Sequence, residues 1–84
     1  MTATRPDQIK ALTALQELGG RATLEVIAEK AKLSEPLTRQ ALNMPSDDHR
    51  MCVRYLAAGN ALPPMYALTE AGTELLARAT APSP

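Results

Sequence analysis

Two adjacent glycines, Gly19 and Gly20, follow directly on an apolar stripe of helical period, and they set the scale of the first element. Ile9, Leu12, Leu15 and Leu18, with Ala11, recur at the steps that place side chains on one helix face. A glycine takes the left-handed conformation without steric cost, so the pair stops the helix after Leu18. Thr4 suits the N-cap, with Asp7 three residues on as a variant capping box, and Pro6 is welcome in the first turn. A helix from Arg5 or Pro6 to Leu18 is therefore expected.

The material for a core around that helix is limited. Eighty-four residues make one domain, 1–84. A chain of this size buries only about 60% of the surface its unfolded form exposes. With no Trp, no Phe and only two aromatics, Tyr55 and Tyr66, the core must be built from Leu, Ile, Val, Met and Ala, which favours helix. Residues 1–4 and 80–84 are small, polar or proline-punctuated, and read as frayed ends.

Further helices follow from caps and spacing. Thr23 suits the N-cap of a second helix with Glu25 in its first turn and Leu24, Ile27, Ala28 and Ala31 on its apolar face. Leu33 is expected to pack inward at the turn. Ser34 then caps a third helix, about 34–44, in which Leu37, Ala41 and Leu42 form the inner stripe and Pro45 is the stop. After a polar turn, MCVRYL carries the β-formers Val53 and Tyr55, AAGNALPP is a loop, and MYAL is a second short strand. Thr69 caps a last helix through Ala79, with Leu68, Ala71, Leu75 and Leu76 inward. The expected order is α-α-α-β-β-α, mainly helical with a small β-hairpin.

Several functions are disfavoured at this level. Cys52 is the only cysteine and His49 the only histidine, so neither a disulfide within the chain nor a metal cluster of the usual kind is expected, and the cysteine usage suits a reducing compartment. There is no nucleophile with a neighbouring base, no glycine-rich phosphate loop and no carboxylate cluster, so an enzyme is not expected, nor any cofactor. No apolar run approaches membrane-spanning length and MTATRPDQIK lacks the apolar region of a signal peptide; a soluble cytoplasmic protein is the expectation. Nine Lys and Arg balance nine Asp and Glu, which argues against strong non-specific binding to nucleic acid but leaves room for a local basic face.

Two segments carry a resemblance. TLEVIAEKAKLSEPLTRQAL, residues 23–42, looks like the capped helix, turn and second helix of a winged helix-turn-helix domain, with Ala28 where the helices cross closely and Leu33 and Ser34 as the apolar residue and cap of the turn. MYALTEAGTELL, residues 65–76, resembles the junction where the wing's returning strand runs into the last helix in bacterial or phage transcription regulators of this fold, with Thr69 as cap and Gly72 following. The likeness covers roughly residues 7–78.

The resemblance implies a small sequence-specific DNA-binding transcription regulator whose third helix enters the major groove of double-stranded DNA. By that likeness Arg39 would pair with guanine and Gln40 or Asn43 would read adenine, while Ser34 and Thr38 would hold phosphates. Arg50, before the first strand, and Arg54, beside a wing of residues 57–64, would approach the backbone, and Asn60 is the only polar side chain of that loop. A homodimer through the first and last helices would supply the contacts one neutral module lacks. From residue 34 to 60, Arg39, Arg50 and Arg54 face Glu35, Asp47 and Asp48, and the loop has no Lys or Arg.

Plainer roles stand beside these. Arg39, Gln40 and Asn43 are also what a solvated helix face looks like, and Arg54 equally suits cross-strand pairing. His49 reads as a surface turn residue, Cys52 as a small buried one, and Tyr55 and Tyr66 as core. Pro63 and Pro64 stiffen the loop or guard a strand edge. The alternative function is a winged-helix protein-interaction module that does not bind DNA directly, its third helix and hairpin binding a protein partner; the neutral surface and the apolar, proline-bearing loop with Leu62 favour it.

Overall fold

A computed structural model describes residues 2–56 and 65–80, and within them four helices and three strands occur. Helix α1 (Arg5–Glu17) begins at Thr4, whose N–H and hydroxyl both reach Asp7 Oδ2, at 2.9 and 3.0 Å. It ends as the glycines dictate: Gly19 and Gly20 take φ of 93° and 89°, and the Gly20 N–H returns to the Leu15 carbonyl at 2.9 Å. Helix α2 (Leu24–Ala31) is capped by Thr23, whose Oγ1 accepts from the Val26 N–H, and closes with Lys32 in the left-handed conformation. Helix α3 (Glu35–Leu42) starts from Ser34 after a turn of only Lys32, Leu33 and Ser34. It stops at Leu42 with Asn43 as its C-cap, two residues short of the expected end at 44.

The sheet is larger than a hairpin. Strand β1 (Arg21–Thr23), absent from the expected order, pairs antiparallel with β3 (Met65–Leu68), which also pairs with β2 (Val53–Leu56), giving the order β1-β3-β2. Three residues are too few to show an alternating pattern, and Thr23 doubles as the α2 cap, so only the edge of β3 turns this stretch into a strand. The Leu68 N–H bonding the Gly20 carbonyl at 2.8 Å continues the pairing into the glycine turn. Helix α4 (Glu70–Thr80) leaves β3 through Thr69, completing a mainly helical domain with an arrangement compatible with a winged helix.

The core lies between α1 and everything else. Ala11, Leu12, Leu15, Ile27, Ala41, Leu42 and Cys52 are fully enclosed, with Ala22, Val53, Tyr66, Leu75 and Leu76 around them. Ile9, Leu18, Leu24, Ala31 and Leu37 from the expected stripes sit at its margin, half-buried. Three polar residues are buried with it, Gln8, Thr38 and Ser46. Gln8 donates through Nε2 to the carbonyls of Met44 and Pro45, at 3.0 and 3.2 Å, and so clips the end of α3 to the start of α1.

Two expectations change here. Ala3 is buried and its N–H donates to Gln40 Oε1, so the N-terminal arm is packed at that point rather than frayed. Tyr55 is 58% exposed, not core: it shares the inner sheet face with Tyr66, its ring edge-on at 5.4 Å, but it stands on β2, an edge strand. Cys52 and His49 are as expected, one buried and the other exposed in the turn. Among the described residues no helix is long and apolar enough to cross a membrane.

Candidate nucleic-acid interface

The outer face of α3 follows from what its other face buries. With Leu37 half-buried and Thr38, Ala41 and Leu42 turned fully inward, the helical period leaves Glu35, Pro36, Arg39, Gln40 and Asn43 outside. Arg39, Gln40 and Asn43 are gathered there in one open concavity of about 350 Å³, bounded by Thr2, Ala3 and Met44. Arg39 has no carboxylate partner among the described residues, so its guanidinium is available to a ligand.

Thr38 is not part of this surface. It is 0% exposed, and its hydroxyl donates to the Ser34 carbonyl at 2.8 Å, one turn back. A Thr at that helix position satisfies its own hydroxyl by this bond and packs its methyl inward, so it cannot hold a phosphate. Ser34 itself is exposed, its Oγ accepting from the Leu37 N–H at 3.3 Å. That bond leaves the Ser34 hydroxyl hydrogen free to donate outward.

Arg50 is exposed but engaged. Its Nε reaches Asp48 Oδ2 and its Nη2 reaches Glu74 Oε2, both at 2.7 Å. These bonds raise its pKa further, Glu74 contributing most and Asp48 next. The acids before β2 are thereby neutralised within the fold, since Asp47 is likewise held by Arg5 at 2.6 Å. The pKa of Asp48 is lowered, first by the Ser46 hydroxyl and then by Arg50. Of the acids expected to repel phosphate, Glu35 alone lacks an ion pair among the described residues.

Arg54 stands on the outer sheet face, and so does an arginine that sequence reasoning did not single out. Arg21 of β1 and Arg54 of β2 both pair with Ala67 of β3, so the two side chains leave the same face on either side of a small residue. Neither has an acidic partner at ion-pair distance among the described residues, which leaves the cross-strand salt-bridge role for Arg54 unfilled. They border a concavity of about 450 Å³ with Gly19, Gly20, Thr69 and Glu70. No sequence signal could have found Arg21 while β1 went unrecognised. Asn60 and the rest of the wing loop, residues 57–64, lie outside the described residues.

Among the described residues no group of His, Cys, Asp and Glu is placed to hold a metal ion. Cys52 is buried with its thiol pushed up in pKa, chiefly by desolvation, and is not a nucleophile in this state.

The fold and site thus define a class by geometry: a short-turn helix pair presenting a polar helix face, backed by a small antiparallel sheet. Comparisons with family models, with curated proteins and with solved structures return no match to this chain in any of the three.

Proposed function

We propose that this chain is a small sequence-specific DNA-binding regulator of the winged helix-turn-helix kind, with α3 in the major groove and the β2–β3 hairpin beside it. The observation that supports it is the grouping of Arg39, Gln40 and Asn43 on one face of a helix held out by a three-residue turn. Those side-chain types offer the donors and acceptors that base edges pair with. Arg54 and Arg21 add cations that pair with no carboxylate among the described residues.

Few cations mean few phosphate contacts. Two or three per copy give a log–log salt slope of only about −2 to −3, too shallow for a tight single-module complex. A homodimer through α1 and α4 would double it, and both helices carry exposed residues away from α3. The test is a gel shift on the DNA flanking its own gene, with Arg39→Ala and Arg54→Ala and a salt titration. Arg39→Ala is expected to weaken binding about tenfold or more. No shift of any duplex at about 50 mM salt, or one indifferent to both substitutions, removes this reading.

One observation favours the alternative, a protein-interaction module. Tyr55 at 58% exposure and Met51 at 49% give the β2 side an apolar character that a DNA interface does not need. A protein complex formed there would persist as salt rises, whereas a DNA complex would dissociate.

A further inference from the structure

The bond from the Ala3 N–H to Gln40 Oε1, 3.0 Å long, joins the N-terminal arm to the outer face of α3. A main-chain N–H can only donate, so the atom facing it must be the amide oxygen, and the orientation of the Gln40 amide is not ambiguous. The arm that supplies this donor is itself held. Ala3 is buried, Thr4 is tied to Asp7, and Arg5 is paired with Asp47 at 2.6 Å. Gln40 as a residue is exposed, so with its oxygen turned onto the arm, what it presents outward is the Nε2 group and its two hydrogens.

Reading adenine requires both ends of a glutamine amide together, the oxygen accepting from N6–H and the nitrogen donating to N7. From this geometry we infer that Gln40 reads mainly as a donor: its oxygen keeps a second lone pair but faces the arm and not the groove, so the amide favours guanine, which offers O6 and N7 together, over adenine, whose N6–H2 stands beside its single acceptor N7. Ala3 is then a positioning residue that sets base preference without touching a base. The inference rests on the DNA-binding reading above and replaces the adenine contact expected for Gln40.

The experiment is selection of bound duplexes from a randomised pool, with wild type, Gln40→Ala, Gln40→Glu, Ala3→Pro and a chain lacking residues 1–3. Thermal melts confirm that each variant is folded. The position read by Gln40 is the one whose preference disappears in Gln40→Ala. There the wild type is expected to choose guanine by about tenfold over adenine. Ala3→Pro has no N–H to give, so it and the truncated chain should both admit adenine. Gln40→Glu keeps an acceptor for Ala3 but has no donors, and should turn to cytosine through its N4–H. In the free protein, the Ala3 amide should exchange slowly with solvent and lose that protection in Gln40→Ala.

Adenine chosen by the wild type at that position overturns the inference, as does a preference unmoved by both arm variants. An Ala3 amide exchanging at the open-chain rate does the same. If Gln40→Ala changes no position, Gln40 contacts no base and only this inference falls. If no duplex is enriched by any protein, the DNA-binding reading itself falls.

Discussion

Gly72 lays its bare Cα against the main chain of Cys52: a Cβ there would overlap the Cys52 carbonyl oxygen and stand 2.7 Å from Leu68 Cδ1. The same carbonyl accepts from the Thr69 N–H at 3.0 Å. Thr69 Oγ1 donates to the Met51 carbonyl at 2.7 Å and accepts from the Gly72 N–H at 3.2 Å. The first turn of α4 is therefore sewn to the segment that leads into β2, and glycine is what permits the approach.

Gly72→Ala tests which effect wins. Alanine in a helix is favoured over glycine by about 1 kcal/mol. The clash is with backbone, which cannot swing away, and overpacking of that kind costs about 1–3 kcal/mol. The substitution should be net destabilising, with a lower midpoint in urea unfolding. A midpoint equal to or above wild type would show that α4 is not held this close.

Gln8 gives a second stability test. It is 0% exposed, and replacing it by Leu keeps most of its volume while orphaning the Met44 and Pro45 carbonyls. A buried acceptor left without a donor costs about 1–3 kcal/mol. Gln8 Oε1 has no partner of its own, and its removal offsets part of that cost. Gln8→Leu should therefore lose about 1–3 kcal/mol in urea, with the slope unchanged. Cys52 beside it supplies an independent readout, because a buried thiol reacts only when the fold opens. Labelling of Cys52 should accelerate with the open population, about tenfold for each 1.4 kcal/mol lost.

Both residues show how far the chain can be read from its sequence. Periodicity and caps gave α1, α2, α3, β3 and α4 to within a residue or two at their starts, because Thr4, Thr23, Ser34 and Thr69 are residue types that stop a chain at a helix entrance. The sequence places Thr38 off the inner stripe and carries no signal for Gln8, yet each finds its bonds inside: Thr38 on its own helix, Gln8 on carbonyls 36 and 37 residues away. The engagement of Arg50 was equally hidden, since Glu74 lies 24 residues on and meets it only through α4 packing. The surface positions of Arg39, Gln40 and Asn43 were legible from the inner stripe alone; that Gln40 is bonded to Ala3 was not.

Acid should weaken the fold through carboxylates that are bonded in the native state. The Thr4 N–H and hydroxyl lower the pKa of Asp7, and the Ser46 hydroxyl, with Arg50, lowers that of Asp48. A carboxyl whose folded pKa lies below its unfolded one contributes stability that is present above the unfolded pKa and is lost as pH falls through the folded one. The melting temperature should therefore decline below about pH 4, where unfolded carboxylates take up protons. Asp48→Asn should melt lower than wild type at neutral pH, and the gap should close as the solution is acidified. A gap that is constant with pH would mean that Asp48 contributes by packing and not by its charge.

Arg50 separates a cation present on the surface from one available to DNA. Its two carboxylate partners are exposed, so Arg50→Ala should change stability little. Because Asp48 and Glu74 already hold the guanidinium, removing it should weaken duplex binding by less than about threefold, against tenfold or more for Arg39→Ala. Its loss should also leave the salt slope nearly unchanged, whereas removing a phosphate-contacting Arg54 should lower that slope by about one. The reverse experiment is stronger. Asp48→Asn with Glu74→Gln releases Arg50 and removes two negative charges, so affinity should rise and the salt slope steepen. Equal losses from Arg50→Ala and Arg39→Ala, measured by gel shift at one salt concentration, would place Arg50 in the interface and show that the ion pairs open on binding.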